Sequence, residues 1–87
     1  MKDNRKRKSW YVYILRCADK TLYTGITNDV KKRVKAHNEG KGAKYTRGRA
    51  PVEIVYKKRF TDKSAASKEE AKIKRLNKKE KLKIIKK

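Results

Sequence analysis

The side chains able to do chemistry in this 87-residue chain form a short list. Three phenols, Tyr11, Tyr13 and Tyr23, stand in two runs of strand-forming residues, and Arg33 and His37 follow, four residues apart. Most of the nine carboxylates have local explanations. Asp29 suits the positive end of a helix, Asp3 and Glu80 lie in the charged ends, and Asp19, Asp62, Glu39 and Glu53 fall at turns or on the polar side of a strand. Glu69 and Glu70 are different. At about 100° per residue, Ala65, Ala66, Ile73 and Leu76 share a sector that contains Glu69, with Glu70 at its edge. Periodicity therefore turns one carboxylate, Glu69 first, toward the core. A single cysteine, Cys17, and a single histidine, His37, exclude a disulfide within the chain, a Cys/His zinc cage and a thiol hydrolase with an orienting partner. No phosphate-binding G-x-x-x-x-G-K-[ST] stretch is present, which excludes an ATP-driven motor of that type. What remains is phenol, guanidinium, imidazole and carboxylate. Each has an ordinary alternative: strand tyrosines commonly pack in sheets, and Ser67-x-x-Glu70 would serve as a capping box for a helix starting later.

These groups need elements to position them. Trp10 to Cys17 is apolar at both parities, the pattern of a strand covered on both faces. Ala18 to Thr21 break the run and Leu22 to Thr27 resume it, which predicts an antiparallel hairpin. Gly25 within the second strand marks either a bulge or a close approach. Asn28 is the expected N-cap of a first helix, whose Val30, Val34 and His37 recur at helical spacing until Glu39-Gly40. Arg33 and His37 then share one side of that helix. Residues 40–51 hold three of the four glycines, the proline, four basic residues and Tyr45. Such a loop is either a solvated connector or a wrap for phosphates, with Lys41, Lys44, Tyr45, Arg47 and Arg49 as its contacts. Val52, Ile54 and Tyr56 alternate toward one apolar face of a third strand ending at Phe60. Residues 61–64 break it, Ala65 to Leu76 give a second helix, and Lys78 to Ile85 a short basic third. The expected fold is α+β, a three-stranded antiparallel sheet flanked by helices in the order β-β-α-β-α-(α).

Charge narrows the class. Lys and Arg number 29 against 9 Asp and Glu, a net charge of +20. Residues 1–9 form a basic arm, 10–76 one small domain and 77–87 a basic tail or short helix. A chain of this length buries only roughly 60% of its unfolded surface, so self-repulsion at this charge is costly unless a polyanion is bound. Nucleic acid is the first such partner, an anionic membrane the second and an acidic protein the third. The helix from Ala65 to Leu76 has too few large apolar residues for a membrane anchor. With no apolar run near 18 residues and no leader-like N-terminus, the expectation is a cytoplasmic protein without membrane contact.

Taken as an ordered set, these residues resemble the GIY-YIG nuclease domain, and most closely its small single-domain bacterial YhbQ-like subfamily. Tyr11-Val12-Tyr13 and Tyr23-Thr24-Gly25 stand where the family's two short motifs lie on the first two strands. Arg33 and His37 match its following helix, and Ala66-x-x-x-Glu70-x-x-Ile73-Lys74 is similar to the segment with its metal-binding glutamate. The resemblance covers about residues 10 to 76. It implies a metal-dependent DNA endonuclease, structured or damaged DNA being the substrate class it suggests, with Mg²⁺ or Mn²⁺ at Glu70 and Glu69 as the reserve ligand. Tyr13 is the implied base, its phenol pKa expected to be lowered by cations and metal. Tyr23 would position water or phosphate, Arg33 would hold the scissile phosphate through its planar fork, and His37 would assist as donor or relay. Two features depart from the pattern. The first motif is Tyr-Val-Tyr, and positions 82–85, where larger members carry an asparagine, are Leu, Lys, Ile and Ile, with Asn77 alone nearby. The competing expectation is a non-catalytic nucleic-acid-binding protein that keeps the fold. Either reading leaves room for a protein partner that supplies targeting.

Overall fold

The double-sided apolar run finds cover on two sides. In the computed structural model, which describes residues 9–41 and 48–85, strand β1 (Trp10–Arg16) lies between β2 (Leu22–Thr27) and β3 (Glu53–Phe60) in an antiparallel sheet of order β2-β1-β3. Helix α1 (Val30–Asn38) packs on one face, and α2 (Lys63–Lys74) and α3 (Lys78–Ile85) on the other. Alternate residues of β1 feed two cores. Val12 and Ile14 join Ala66 and Ile73 under α2, with Ile84 and Ile85 of α3 packed against them. Tyr13 and Leu15 join Cys17 and Val52 on the α1 face, with Tyr23 and Val34 at their edge. The architecture and element order are those predicted, and the third helix is formed.

Local chemistry sets the boundaries. At the hairpin turn Asp19 accepts from the Thr21 backbone N–H at 3.1 Å and from its hydroxyl at 2.6 Å, while Lys20 takes a positive φ of 69°. The N-cap of α1 is Asp29 and not Asn28: its carboxylate accepts from the Lys32 N–H at 3.1 Å, and Thr27 Oγ1 accepts from the Asp29 N–H. A charged acceptor satisfies the orphan donors and the positive helix end together, which a neutral amide does less well. The end of α1 is tied to the start of β3 by Asn38, whose Oδ1 accepts from the Val52 N–H at 2.6 Å and whose Nδ2 donates to the Val52 carbonyl at 3.3 Å. Helix α2 begins at Lys63, capped by Asp62 through the Ala65 N–H at 2.8 Å, so the later start at Ser67 is not used. The capping box belongs to α3, where Asn77 and Glu80 accept reciprocally from each other's backbone N–H, both at 2.9 Å.

Strand β3 corrects the simple alternation expected for it. Ile14 pairs with Tyr56 but Leu15 with Ile54, so Val55 is an extra residue that switches the parity of all that follows. Val52 stays on the α1 side and Tyr56 crosses to the α2 side. Lys57 and Arg59 are thereby brought onto the α1 face, opposite Tyr13 and Tyr11. Among the described residues no helix is long and apolar enough to cross a membrane.

Candidate active site

Tyr13 is almost fully buried on the α1 face of β1. Across the pairing its partner on β2 is Gly25, and a Cβ built there would stand 2.6 Å from the Tyr13 hydroxyl and 2.9 Å from Cζ. The β1–β2 register runs without interruption through this pair. Of the two readings of Gly25, close approach is therefore the one realised, and what approaches is the phenol ring.

The phenol reaches His37, whose side chain is wholly buried on α1, with Tyr13 Oη 3.2 Å from Nε2. Tyr23 completes a cluster of three rings: its centroid is 5.3 Å from that of His37 and 6.3 Å from that of Tyr13, and Tyr13 and His37 are 6.1 Å apart. Burial, and then the nearby Arg33 charge, hold the His37 pKa below its usual value of 6.5. Burial pushes the Tyr13 phenol above 10, against the opposing pull of a hydrogen bond to the Arg33 guanidinium. The expectation of a lowered phenol pKa is thus reversed in the protein itself, because desolvation outweighs the one adjacent cation. At neutral pH both groups are uncharged, and which of them donates in the hydrogen bond between them is set by the imidazole tautomer.

Arg33 is half-buried beside this pair, and its Nε is buried with no hydrogen-bond partner within the protein. The two glutamates of α2 separate by what they act on. Both are half-buried and flank the Ala66–Ile73 stripe. Burial raises the pKa of Tyr56 on β3, with the Glu69 charge adding to it; burial also dominates at Tyr13, where the Glu70 charge is the weakest of the contributions. Helical phase alone favours Glu69 as the inward group; tertiary packing leaves both at the margin, with Glu70 adding a weak electrostatic contribution at Tyr13. Lys74 Nζ lies 3.1 Å from Glu70 Oε2. Tyr13, Tyr23, Arg33 and His37 are thus drawn together on the α1 face, with Glu70 in electrostatic contact from α2.

The loop residues fare differently. Lys41 is exposed just beyond α1, and Arg49 is ion-paired to Asp19 at 2.5 Å, fixing it to the β1–β2 turn. Lys44, Tyr45 and Arg47 lie outside the described residues. Asn77, capping α3, has its side chain engaged away from the ring cluster. Two cations escaped sequence reasoning. Lys57 sits opposite Tyr13 only because of the bulge, whose sole signal is the adjacent apolar pair Val55-Tyr56. Lys74 was legible as the residue one helical turn beyond Glu70.

The arrangement matches a family. The GIY-YIG catalytic domain covers residues 9–83 of the chain. This protein belongs to that family. As a GIY-YIG protein it is 59% identical over 75 residues to the UPF0213 protein of Oceanobacillus iheyensis, 86% of this chain and 87% of that one. It is 55% identical over 75 residues to the UPF0213 protein of Natronomonas pharaonis, covering 86% and 88%. The solution NMR structure of a UPF0213 protein from Bacillus halodurans superposes with a TM-score of 0.59 at 45% identity, over 90% of this GIY-YIG chain and 83% of that one. The family implies nuclease chemistry on nucleic acid, generally with a divalent metal.

Proposed function

We propose that this chain is a divalent-metal-dependent endonuclease that hydrolyses phosphodiester bonds in DNA, structured or damaged DNA being its substrate class. The observation that carries the reading is the buried Tyr13–His37 hydrogen bond with the Arg33 guanidinium beside it. A buried guanidinium nitrogen without a partner is stabilised by an arriving anion, and a phosphate oxygen suits Arg33 Nε.

A phenol with a raised pKa is a poor proton acceptor alone. Neutral His37 supplies the remedy: as Tyr13 Oη takes a proton from the attacking water, its own proton passes to His37 Nε2. The water oxygen bonds to phosphorus, the bond to the leaving oxygen breaks, and that oxygen is protonated by solvent. Arg33 binds the charge that builds on the phosphoryl oxygens, and Tyr23 orients water or phosphate beside the imidazole. Among the described residues no three His, Cys, Asp or Glu side chains converge, which excludes a zinc cage there and fits a hard ion that keeps most of its waters. Mg²⁺ or Mn²⁺ held by Glu70 and substrate oxygens supplies Lewis acidity when bound.

One observation favours the alternative of a non-catalytic binder: the Glu70 carboxylate is neutralised by Lys74. A cleavage assay on nicked, flapped and duplex DNA with Mg²⁺ or Mn²⁺ separates the two. Wild type should cut, and Tyr13→Phe, Arg33→Ala and Glu70→Gln should each lose on the order of 10² to 10⁴ in rate while still binding. Binding without cutting by wild type, or variants that cut as well as wild type, would defeat the nuclease assignment.

A further inference from the structure

Every aromatic side chain among the described residues packs on one of the two cores, with one exception, Tyr11. Tyr11 is half-buried yet joins neither core, although it stands on the same strand as Tyr13, two residues away and therefore on the same face. The register sets it between Thr27 and Arg59, just as Tyr13 is set between Gly25 and Lys57. Lys57 Nζ lies 5.7 Å from the Tyr11 ring centroid, and Arg59 Nε donates to Ser9 Oγ at 2.5 Å. Among the described residues neither cation is ion-paired to a carboxylate. A flat, half-buried ring that no core requires, flanked by two cations with no carboxylate partner among the described residues and one step from the reacting phenol, has the parts of a single-strand binding surface.

We propose that Tyr11 is a stacking platform for an unpaired base of the substrate strand, with Lys57 and Arg59 holding the phosphates that flank that nucleotide. The proposal rests on the nucleic-acid reading given above and deepens it: the ligand on the α1 face is single-stranded at this point, because a base inside a duplex has no free face to offer. Stacking also makes this contact tolerant of base identity, since every base has a π-face.

The test is binding without chemistry, in EDTA, by fluorescence anisotropy with two labelled probes of equal length, an oligo-dT and the same backbone carrying abasic sites. Tyr11→Ala should weaken oligo-dT binding about tenfold and leave the abasic probe unchanged, whereas Tyr11→Phe should bind both like wild type. Lys57→Gln and Arg59→Gln should weaken both probes and each reduce the slope of log affinity on log salt by about 0.7. A Tyr11→Ala protein that loses affinity for both probes equally, or for neither, overturns the platform and leaves the nuclease reading standing. A wild type that binds neither probe overturns the platform as well, while the cleavage assay on nicked, flapped and duplex DNA still decides the nuclease reading. Thermal melting of Tyr11→Ala near wild type is expected, because no core cluster includes this ring.

Discussion

The two faces of the sheet take alternate residues from one strand, and they divide the molecule's tasks. The α2 face has an aliphatic centre: Val12, Ile14, Ala66 and Ile73 are its buried members and none of them titrates, with Trp10, Tyr56 and Phe60 packed around them. The α1 face buries a phenol and an imidazole in hydrogen-bonded contact, with a guanidinium beside them. Burying polar groups yields less stability per unit area than burying hydrocarbon, and leaving one unpartnered is costly. The small domain therefore appoints one face to hold it together and lets the other carry buried polar groups. Substitutions should separate the two.

The largest expected effect on stability is on the α2 face. Ile73→Ala should lower the unfolding free energy by about 2–5 kcal/mol in a denaturant melt, while the folded fraction keeps its nucleic-acid affinity. If affinity falls with stability, the division between faces is wrong. Next is Gly25→Ala, where the added methyl meets the Tyr13 hydroxyl and Cζ. Overpacking there should cost about 1–3 kcal/mol and displace the phenol from His37, so that any phosphodiesterase activity falls further than stability does. Retention of activity would mean that the Tyr13–His37 contact is dispensable.

The smallest effect is a pH dependence. His37 has a folded pKa below its unfolded value of 6.5, so its neutral state is favoured by folding. The associated stability is complete above pH 6.5 and is lost as pH falls below it toward the folded pKa, at about 1.4 kcal/mol per pH unit. His37→Gln should abolish that slope in urea melts taken between pH 6.5 and the folded pKa. Asp19, held low by Thr21 and then Arg49, contributes only on acidification below about its ordinary value of 3.8, so it does not confuse the test.

Much of this was legible in the residues. The double-sided apolar run announced a strand covered on both faces, spacing put Arg33 and His37 on one side of their helix, and the family resemblance grouped them with Tyr13 and Tyr23. What the sequence hid were effects of packing. The Val55 bulge reverses parity in β3 and no local propensity marks it. Glu69 and Glu70 differ by one residue in helical phase, and only the placement of α2 on the sheet tells which of them acts on Tyr13. The direction of the phenol pKa followed from how deeply the ring is buried, a quantity that composition does not contain. Asn28 and Asp29 are both good caps, and the choice fell to the one whose charge also answers the helix dipole.

The contact between Tyr13 and the bare backbone at Gly25 also bears on inheritance. Neither position drifts alone without cost: a side chain at 25 displaces the phenol at 13 or calls for a smaller group there, and either abandons His37. The pair should therefore behave as one heritable character across descendants, retained together where the chemistry is used and lost together where the fold has been turned to other ends.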